Sequence, residues 1–373
     1  MRNLVFGAAV LLGSAQAAMA QQPAFDVHVH LHNGEASTRE YDKQLDATKQ
    51  RVSGYAAMWF GGPNQALQGK PESIRASNDA LIALAAKRPG MVPVATVHPY
   101  DGQAALTELD RVAAAGVKVL KIHPHTQRFD ASDARVLTLV KRAGELDVVV
   151  LMDNANILPG DSEKLFNLAL AAPNTKFIFA HLGGLNFRFW NILKAARTAE
   201  GLFGNNIYFD ISATVALIAD SPVEEEFVWT IRNVGVDHVL MGSDYPQYSL
   251  ERNMSALDRL SLSEVEKSKI RSENARALLG LAALEHSPER RAPVEAPNLL
   301  EGRKSAVQLL SPFRSDEVAP DGRARVIDGA AMGDADLEGR GARRRHGHDS
   351  AQAAQQRRRE QADAPVERTS GRR

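Results

Sequence analysis

The sequence contains no cysteine among its 373 residues. Disulfide bonds therefore cannot stabilise its fold, and thiolate metal sites and cysteine nucleophiles are both excluded. The formal net charge is zero, so the chain as a whole offers no excess of positive charge to a nucleic acid. Any metal site must therefore be built from histidine and oxygen ligands.

Long apolar runs are also missing, apart from one short run near the N-terminus. It covers residues 4–15, follows Arg2, and precedes Ala18 and Ala20, which have the spacing of an A-x-A cleavage site. The run is too short to span a bilayer, and the whole pattern is typical of a secretory signal peptide. We therefore expect residues 1–20 to be removed, leaving a periplasmic or secreted protein with no stable membrane span.

The C-terminal region has very little lysine and few aromatic residues. Between residues 286 and 373, Lys304 is the only lysine and Phe313 the only aromatic residue, whereas arginine is abundant. This composition shows no apolar periodicity and cannot bury enough apolar surface to fold, so we predict a disordered arginine-rich tail over 286–373. Acidic residues lie among its arginines, which together with the export signal argues against a nucleic-acid partner.

Apolar runs alternate with helical patterns in the intervening domain, which we place at residues 21–285. The runs cover residues 24–30, 53–60, 91–98, 117–123, 147–153, 176–181, 206–212 and 237–244. Eight such units in roughly 250 residues predict an α/β fold, a (β/α)8 TIM barrel. The rival is an open doubly wound sheet, which usually carries a glycine-rich fingerprint after its first strand, and none follows His30. Ser77 is expected to cap the second helix.

Seven of the eight histidines in this domain lie at or just past the predicted C-terminal end of a strand. They are His28, His30, His32, His98, His123, His125 and His181. The active site of a (β/α)8 barrel forms at this end of its strands, so the distribution predicts a polar site at the barrel mouth. Imidazole groups at such a site favour binding of a divalent ion.

The first strand carries the densest part of this pattern. It alternates strictly, which predicts Asp26, His28 and His30 on one strand face. Two imidazoles about 6–7 Å apart on one face can converge on a single ion. On the last strand, Asp244 is predicted to lie at the same end of the barrel. Its carboxylate would complete a site for a hard or borderline divalent ion.

Other polar residues are expected around this centre. Asp153 lies at the end of strand five and is followed by Asn154, and Asp210 lies on strand seven. Lys121 shares a predicted strand face with His123, and it could pair with a carboxylate or bridge two ions as a carbamate. We expect Asn154, Asp210 and Lys121, as well as His123 and His125, to contact substrate or the metal ligands.

Several of these segments together resemble a known family, the amidohydrolase-related metal-dependent hydrolases. The resemblance is to the branch that includes aminocarboxymuconate-semialdehyde decarboxylase, and it covers residues 24–281. Its segments are "FDVHVH", "SNDALIALAAKRPGMVPVATVHP", "AAAGVKVLKIHPH", "KFIFAHLGG", "NIYFDIS", "VLMGSDYP" and "KIRSENARALLGL". The resemblance implies a (β/α)8 barrel with one divalent ion, commonly zinc, at its mouth, and it suggests a homodimer.

The resemblance also assigns roles to individual residues. It implies that His28 and His30 are ligands from the first strand and that Asp244 is the carboxylate ligand from the last. His181 matches the family's histidine on strand six, which assists proton transfer or polarises the substrate.

The sequence departs from this branch on strand five, where a metal-binding histidine is usual and Asp153 stands instead. We expect Asp153 to ligate the ion directly, which would favour harder ions such as manganese or iron. Two alternatives are open: His123 or His125 reaches in from strand four, or the site is weak and catalysis is altered.

The chemistry predicted first is hydrolysis of an amide, ester or lactone by metal-activated water. Asp244 would take the proton of the water and pass it to the leaving group, while His181 would stabilise the oxyanion. The second prediction is non-oxidative decarboxylation of a small aromatic or keto carboxylic acid. A third is a binding protein on a catalytically decayed barrel.

Overall fold

The computed structural model describes residues 22–32, 34–59 and 66–282. The predicted signal peptide (1–20) and the predicted tail (286–373) lie outside the described residues, so these two expectations stay predictions. Within the described ranges, no helix is both long enough and apolar enough to cross a membrane.

Eight parallel strands pair in chain order, from β1 to β8. Their bounds are β1 Ala24–His30, β2 Val52–Met58, β3 Met91–Thr96, β4 Val119–Ile122, β5 Val149–Met152, β6 Phe177–Phe179, β7 Ile207–Asp210 and β8 Val239–Leu240. The helices are α1 Gly34–Thr48, α2 Pro71–Ala85, α3 Gln103–Ala114, α4 Pro124–Gln127, α5 Ala134–Glu145, α6 Asp161–Ala171, α7 Ile192–Ala196, α8 Thr214–Ile218, α9 Glu224–Val234, α10 Leu250–Arg259, α11 Glu264–Ser268 and α12 Asn274–Leu278.

Backbone hydrogen bonds between β1 and the segment after β8 close the ring. The amide of Val27 donates to the carbonyl of Met241 over 3.0 Å, and the amide of His30 donates to that of Tyr245 over 2.9 Å. The sheet is therefore a barrel, which confirms the predicted (β/α)8 fold and excludes the open doubly wound sheet. All eight strands then end at one mouth.

Two apolar layers hold the barrel together, because successive side chains of a strand face opposite ways. The layer between strands and helices includes Leu120, Val150 and Phe179, which are fully buried. The layer inside the barrel includes the strand residues Phe25, Val27, Val94, Val119, Val149, Leu151, Ile178 and Leu240. The inner layer fills the barrel below the polar residues of the mouth.

Two sequence-based expectations about these elements need correction. Ser77 does not cap α2, which begins at Pro71, because a proline is compatible with the first turn of a helix and Ser77 lies six residues further on. Most strands are also shorter than the apolar runs; β8 comprises only Val239–Leu240. Where the strand is shorter than its run, the rest of the run lies in the adjoining loops, which carry polar residues of the mouth.

Candidate metal centre and proton-transfer pair

Three side chains at the barrel mouth form a candidate metal centre. The Nε2 atoms of His28 and His30 are 3.1 Å apart, and both face Asp244 Oδ1, at 3.5 and 3.3 Å respectively. The three residues offer ligand atoms that all lie within 4.8 Å of one another. Two imidazoles and one carboxylate are a donor set that suits a divalent ion, so the residues present fit the group that the sequence predicts.

A bulge in β1 turns both histidines into the mouth. Asp26 pairs with Tyr55 and Val29 pairs with Ala57, so three residue steps along β1 correspond to two along β2. β1 therefore contains one extra residue between Asp26 and Val29. Val27 therefore packs inside the barrel, and the neighbouring His28 also points inward. The predicted common face of Asp26 with the histidines is consequently wrong: the Asp26 carboxylate faces outward and accepts a hydrogen bond from Tyr41 of α1.

Asp210 orients His28 from β7. Its Oδ2 lies 3.0 Å from His28 Nδ1, which leaves His28 Nε2 free to face the other two ligands. Asp210 Oδ1 accepts from the amides of Ser212 and His181, over 3.0 and 3.2 Å, and from the Ser212 hydroxyl. Burial lowers the pKa of His28 to about 4, so its ring is neutral and Nε2 carries a lone pair. Burial opposes the ionisation of Asp210, but His28 and these hydrogen bonds hold the pKa of Asp210 well below its usual value.

We expect Asp210→Asn to weaken binding of a divalent ion by about 10–100-fold, the usual effect of losing a carboxylate that orients a histidine ligand. The asparagine fills the same space, so a loss of affinity would come from the weaker hydrogen bond to His28 Nδ1. Isothermal titration of the ion-free protein with zinc and manganese measures the effect. Unchanged affinity for both ions would show that Asp210 does not prepare His28 for ligation.

The third residue of the candidate metal centre lies on a tightly held loop. Asp244 has a positive φ of 63°, and its amide donates to the carbonyl of His28 over 2.9 Å. Gly242 allows this close approach, because a Cβ at that position would lie 3.0 Å from His28 Cβ and 3.2 Å from Ser212 Cβ. The chain after β8 therefore lies directly against β1, which brings Asp244 to the two histidines.

Asp153 belongs to a second cluster at the mouth. Its Oδ1 lies 3.5 Å from Nε2 of His181 and 3.6 Å from Nε2 of His123. Among the described residues a second group, of His28, His181 and Asp210, also has ligand atoms within 4.8 Å of one another, and Asp153 belongs to neither group. His181 links the two clusters, because its ring stacks on that of His28 with centroids 5.2 Å apart. Direct ligation of an ion by Asp153 stays a prediction.

Opposite charges dominate this second cluster. Burial opposes the charging of His181, but the hydrogen bond to Asp153 and the nearby carboxylates raise its pKa to about 9. Burial likewise opposes ionisation of Asp153, yet the hydrogen bond and the charge of His181 hold the pKa of Asp153 well below the usual range. Burial lowers the pKa of His123 to about 3, which leaves that ring neutral. Asp153 and His181 are therefore a buried carboxylate–imidazolium pair.

The backbone at His181 is unusual. Four consecutive residues have positive φ angles: His181 at 64°, Leu182 at 46°, Gly183 at 82° and Gly184 at 56°. Glycine is required at the last position, where a Cβ would lie 2.4 Å from the carbonyl oxygen of Ala155. The chain therefore makes a sharp turn after His181. It positions the ring so that Nδ1 lies 3.1 Å from the Ser212 carbonyl oxygen and Nε2 faces Asp153.

The remaining predicted site residues are Lys121, His125 and Asn154. Lys121 is buried, and burial lowers its pKa although the carboxylates of the site act against this. His125 is exposed, and its Nε2 lies 2.9 Å from Asp161 Oδ2 of α6. The Asn154 amide donates to Ser162 and accepts from Gly183 and Trp190, so it joins two loops of the mouth.

The sequence reasoning did not assign a role to two of the residues that shape this site. Ser212 Oγ lies 3.3 Å from His28 Nδ1 and 3.1 Å from His181 Nδ1. Ser212 follows Asp210 by two residues, and this shared strand face was the sequence pattern that could have indicated its role. Tyr41 holds Asp26 from a helix fifteen residues away, and nothing in the local pattern marks it.

Comparisons with known proteins agree with this architecture. The sequence profile of the amidohydrolase family matches residues 25–281, whereas a search of curated proteins found no match. The 5-carboxyvanillate decarboxylase of Sphingomonas paucimobilis is 15% identical, with a TM-score of 0.55 over 70% of this chain and 99% of that chain. The 2,6-dihydroxybenzoate decarboxylase of Rhizobium is 18% identical, with a TM-score of 0.53 over 69% of this chain and 99% of that one.

A third similar structure contains a bound metal. It is the 5-carboxyvanillate decarboxylase of Novosphingobium aromaticivorans with manganese and 3-methoxy-4-hydroxy-5-nitrobenzoic acid, 15% identical, with a TM-score of 0.51 over 70% of this chain and 98% of that chain. These likenesses show the barrel fold. The profile match covers most of the domain, and the chain therefore belongs to the amidohydrolase family of enzymes. The resemblance to this family is confirmed, and its candidate His/Asp centre supports one divalent ion.

Proposed function

We propose that the protein is a metal-dependent, non-oxidative decarboxylase of a small aromatic carboxylic acid with a hydroxyl group beside the carboxylate. The observation that carries the proposal is the pairing of Asp153 with His181, 3.5 Å apart, beside the group of His28, His30 and Asp244, which contains neither residue. Decarboxylation needs a group that delivers a proton to carbon, and a charged imidazole held by a carboxylate is such a group. The similar decarboxylases act on acids of this class, which supports the choice of substrate.

His28, His30 and Asp244 would hold the ion, and Asp210 would keep His28 in the tautomer that leaves Nε2 free. A bound ion supplies positive charge for the carboxylate and hydroxyl oxygens of the substrate. We propose zinc, the ion that this donor set commonly binds, and test manganese beside it because the Novosphingobium relative contains it.

His181 would donate its Nε2 proton to the ring carbon that bears the carboxylate. The carbon–carboxylate bond then breaks, its electron pair stays on the ring, and CO2 leaves. Asp153 stabilises the charged form of His181 before the transfer, and solvent returns a proton to the His181 imidazole afterwards. Lys121, buried among the carboxylates of the mouth, would offset their negative charge when an anionic substrate enters.

Hydrolysis is the second candidate, because the matched profile describes an amidohydrolase. It requires a base that accepts a proton from water, and Asp244 is the carboxylate beside the metal centre that could do so. The charged His181 would then stabilise an oxyanion instead of donating to carbon.

A substrate panel separates the two reactions. The full-length protein, loaded with zinc or manganese, is incubated with ortho-hydroxybenzoates, including 2,6-dihydroxybenzoate and 5-carboxyvanillate, and with lactones, esters and amides. We expect one CO2 per acid consumed, at least about 10²-fold faster than His181→Asn releases it, since a positioned acid contributes about 10²–10⁴-fold. Turnover of a lactone, ester or amide without CO2 release from any acid would replace this proposal with hydrolysis.

Export after cleavage at Ala20 and assembly as a homodimer complete the proposal. Mass spectrometry of the protein from the periplasmic fraction tests the first, and sedimentation analysis tests the second.

A further inference from the structure

The outward-facing carboxylate of Asp26 connects the two chain segments that carry the metal centre. Its Oδ1 accepts the amide of His28 over 3.1 Å and the amide of Ser243 over 2.8 Å. Asp26 is completely buried, so neither hydrogen bond competes with water. This single oxygen atom thus connects the bulge, which carries His28, with Ser243, the residue before Asp244.

The second oxygen of this carboxylate is held from α1. Asp26 Oδ2 accepts the hydroxyl proton of Tyr41 over 2.7 Å, and Tyr41 is itself completely buried against Tyr55 and Tyr245. Because both oxygens are engaged, the carboxylate plane is fixed. These three hydrogen bonds, 2.7–3.1 Å long and buried, fix the positions of their donors relative to the carboxylate.

Beyond Leu240, where β8 ends, side-chain contacts add to the backbone hydrogen bonds that hold the chain around Ser243. Ser243 Oγ donates to the carbonyl of His28 over 3.2 Å and accepts the amide of Tyr245 over 3.0 Å. The side-chain amide of Asn253 donates to the Ser243 carbonyl over 3.1 Å. Because the Ser243 amide also donates to Asp26, every polar group of Ser243 has a hydrogen-bond partner. Asp244, the next residue, has a positive φ of 63°.

We propose that Asp26 is a positioning residue for the candidate metal centre, holding His28 and Asp244 at the separation that one divalent ion requires. This inference rests on the proposed metal centre. It means that the geometry of that centre depends on a residue that contacts neither ion nor substrate. Tyr41 supports Asp26 by fixing the orientation of its carboxylate.

The test compares substitutions that separate hydrogen-bond geometry from charge. Asp26→Asn keeps an oxygen for the two amides and can donate its NH2 to the Tyr41 oxygen, so we expect zinc affinity within about threefold of the unmodified protein. Asp26→Ala removes the acceptor, and Asp26→Glu keeps the charge but displaces the oxygen. For both we expect a loss of about 10–100-fold, as for other groups that orient metal ligands.

Ion affinity, measured by competition with a chelator, and the visible spectrum of the cobalt-loaded protein are the readouts. Asn206→Ala is the matched control: Asn206 is also buried and donates to the carbonyls of Ala169, Ala172 and Thr175 at the other end of the barrel. It should lower the melting temperature and leave ion affinity and the cobalt spectrum unchanged. If Asp26→Ala does not fold, the contrast between Asp26→Asn and Asp26→Glu decides.

Equal affinity in all three Asp26 variants, or an equal loss in Asn206→Ala, would overturn the inference. An unmodified protein that binds no ion would overturn it as well. If Asp26→Ala loses affinity while no acid releases CO2, the positioning role stands and the proposed decarboxylation fails. If CO2 is released and Asp26→Ala binds the ion normally, the proposed function stands and the positioning role fails.

Discussion

Asp244→Ala is expected to abolish both ion binding and CO2 release. The substitution removes the carboxylate from the group of His28, His30 and Asp244, so the remaining donor set of this group is two imidazoles. Two ligands hold a divalent ion far more weakly than three, and the charge that the ion supplies is worth several kcal/mol, or a factor of about 10³ in rate. Metal analysis of the purified protein and the CO2 assay measure the two losses together.

Asp237→Ala is the matched control for this experiment. Asp237 lies just before β8, at the opposite end of the barrel from Asp244, and is exposed beside Lys269. It should keep the full ion content and the full rate. Full ion content in Asp244→Ala would mean that other residues hold the ion, and the metal centre would have to be reassigned.

His181→Asn is expected to lower kcat by about 10²–10⁴-fold with no change in ion content, because it removes the proposed proton donor and none of the three ligands. Asp153→Asn should lower kcat less, since His181 remains but loses its counter-charge. Metal analysis of both variants is informative in itself. A protein with Asp153→Asn that has lost its ion would establish Asp153 as a ligand, as its position on strand five predicts.

The pH dependence follows from the same pair. The folded-state pKa of His181, about 9, lies above its ordinary value of 6.5. The ion-free protein therefore gains stability from this proton below about pH 6.5 and loses that stability as the pH rises through 9. Melting curves of the ion-free protein between pH 6 and 10 measure this loss, and Asp153→Asn should move it to lower pH. Identical pH profiles for the unmodified protein and His181→Asn would contradict the charged pair.

The barrel and much of its mouth could be read from local pattern. Apolar runs that alternate with helices predict parallel strands, and the carboxyl ends of parallel strands meet on one face, so histidines at strand ends come together whatever their sequence separation. This logic located His28, His30 and Asp244, which the structure groups within 4.8 Å. It also placed His181 at the same mouth, where its ring stacks on that of His28.

The partners of these residues could not be read in the same way. Strict alternation along β1 predicted Asp26 beside the two histidines, and the bulge reverses that relation because register depends on the neighbouring strand. Asp153 occupies the sequence position of a ligand, yet its nearest imidazoles are those of His181 and His123. Apolar periodicity predicts which end of the barrel carries a side chain. It does not predict which of two neighbouring clusters at that end the side chain joins.

The sequence by itself therefore determined the fold, the end of the barrel that carries the chemistry and the types of side chain present there. These follow from apolar periodicity, which acts within each element and is repeated eight times. Only the tertiary structure decided which carboxylate faces which histidine and that Asp26 turns away to join the amides of His28 and Ser243. Those choices depend on strand register, on a bulge and on contacts between residues more than two hundred positions apart, which no local pattern encodes.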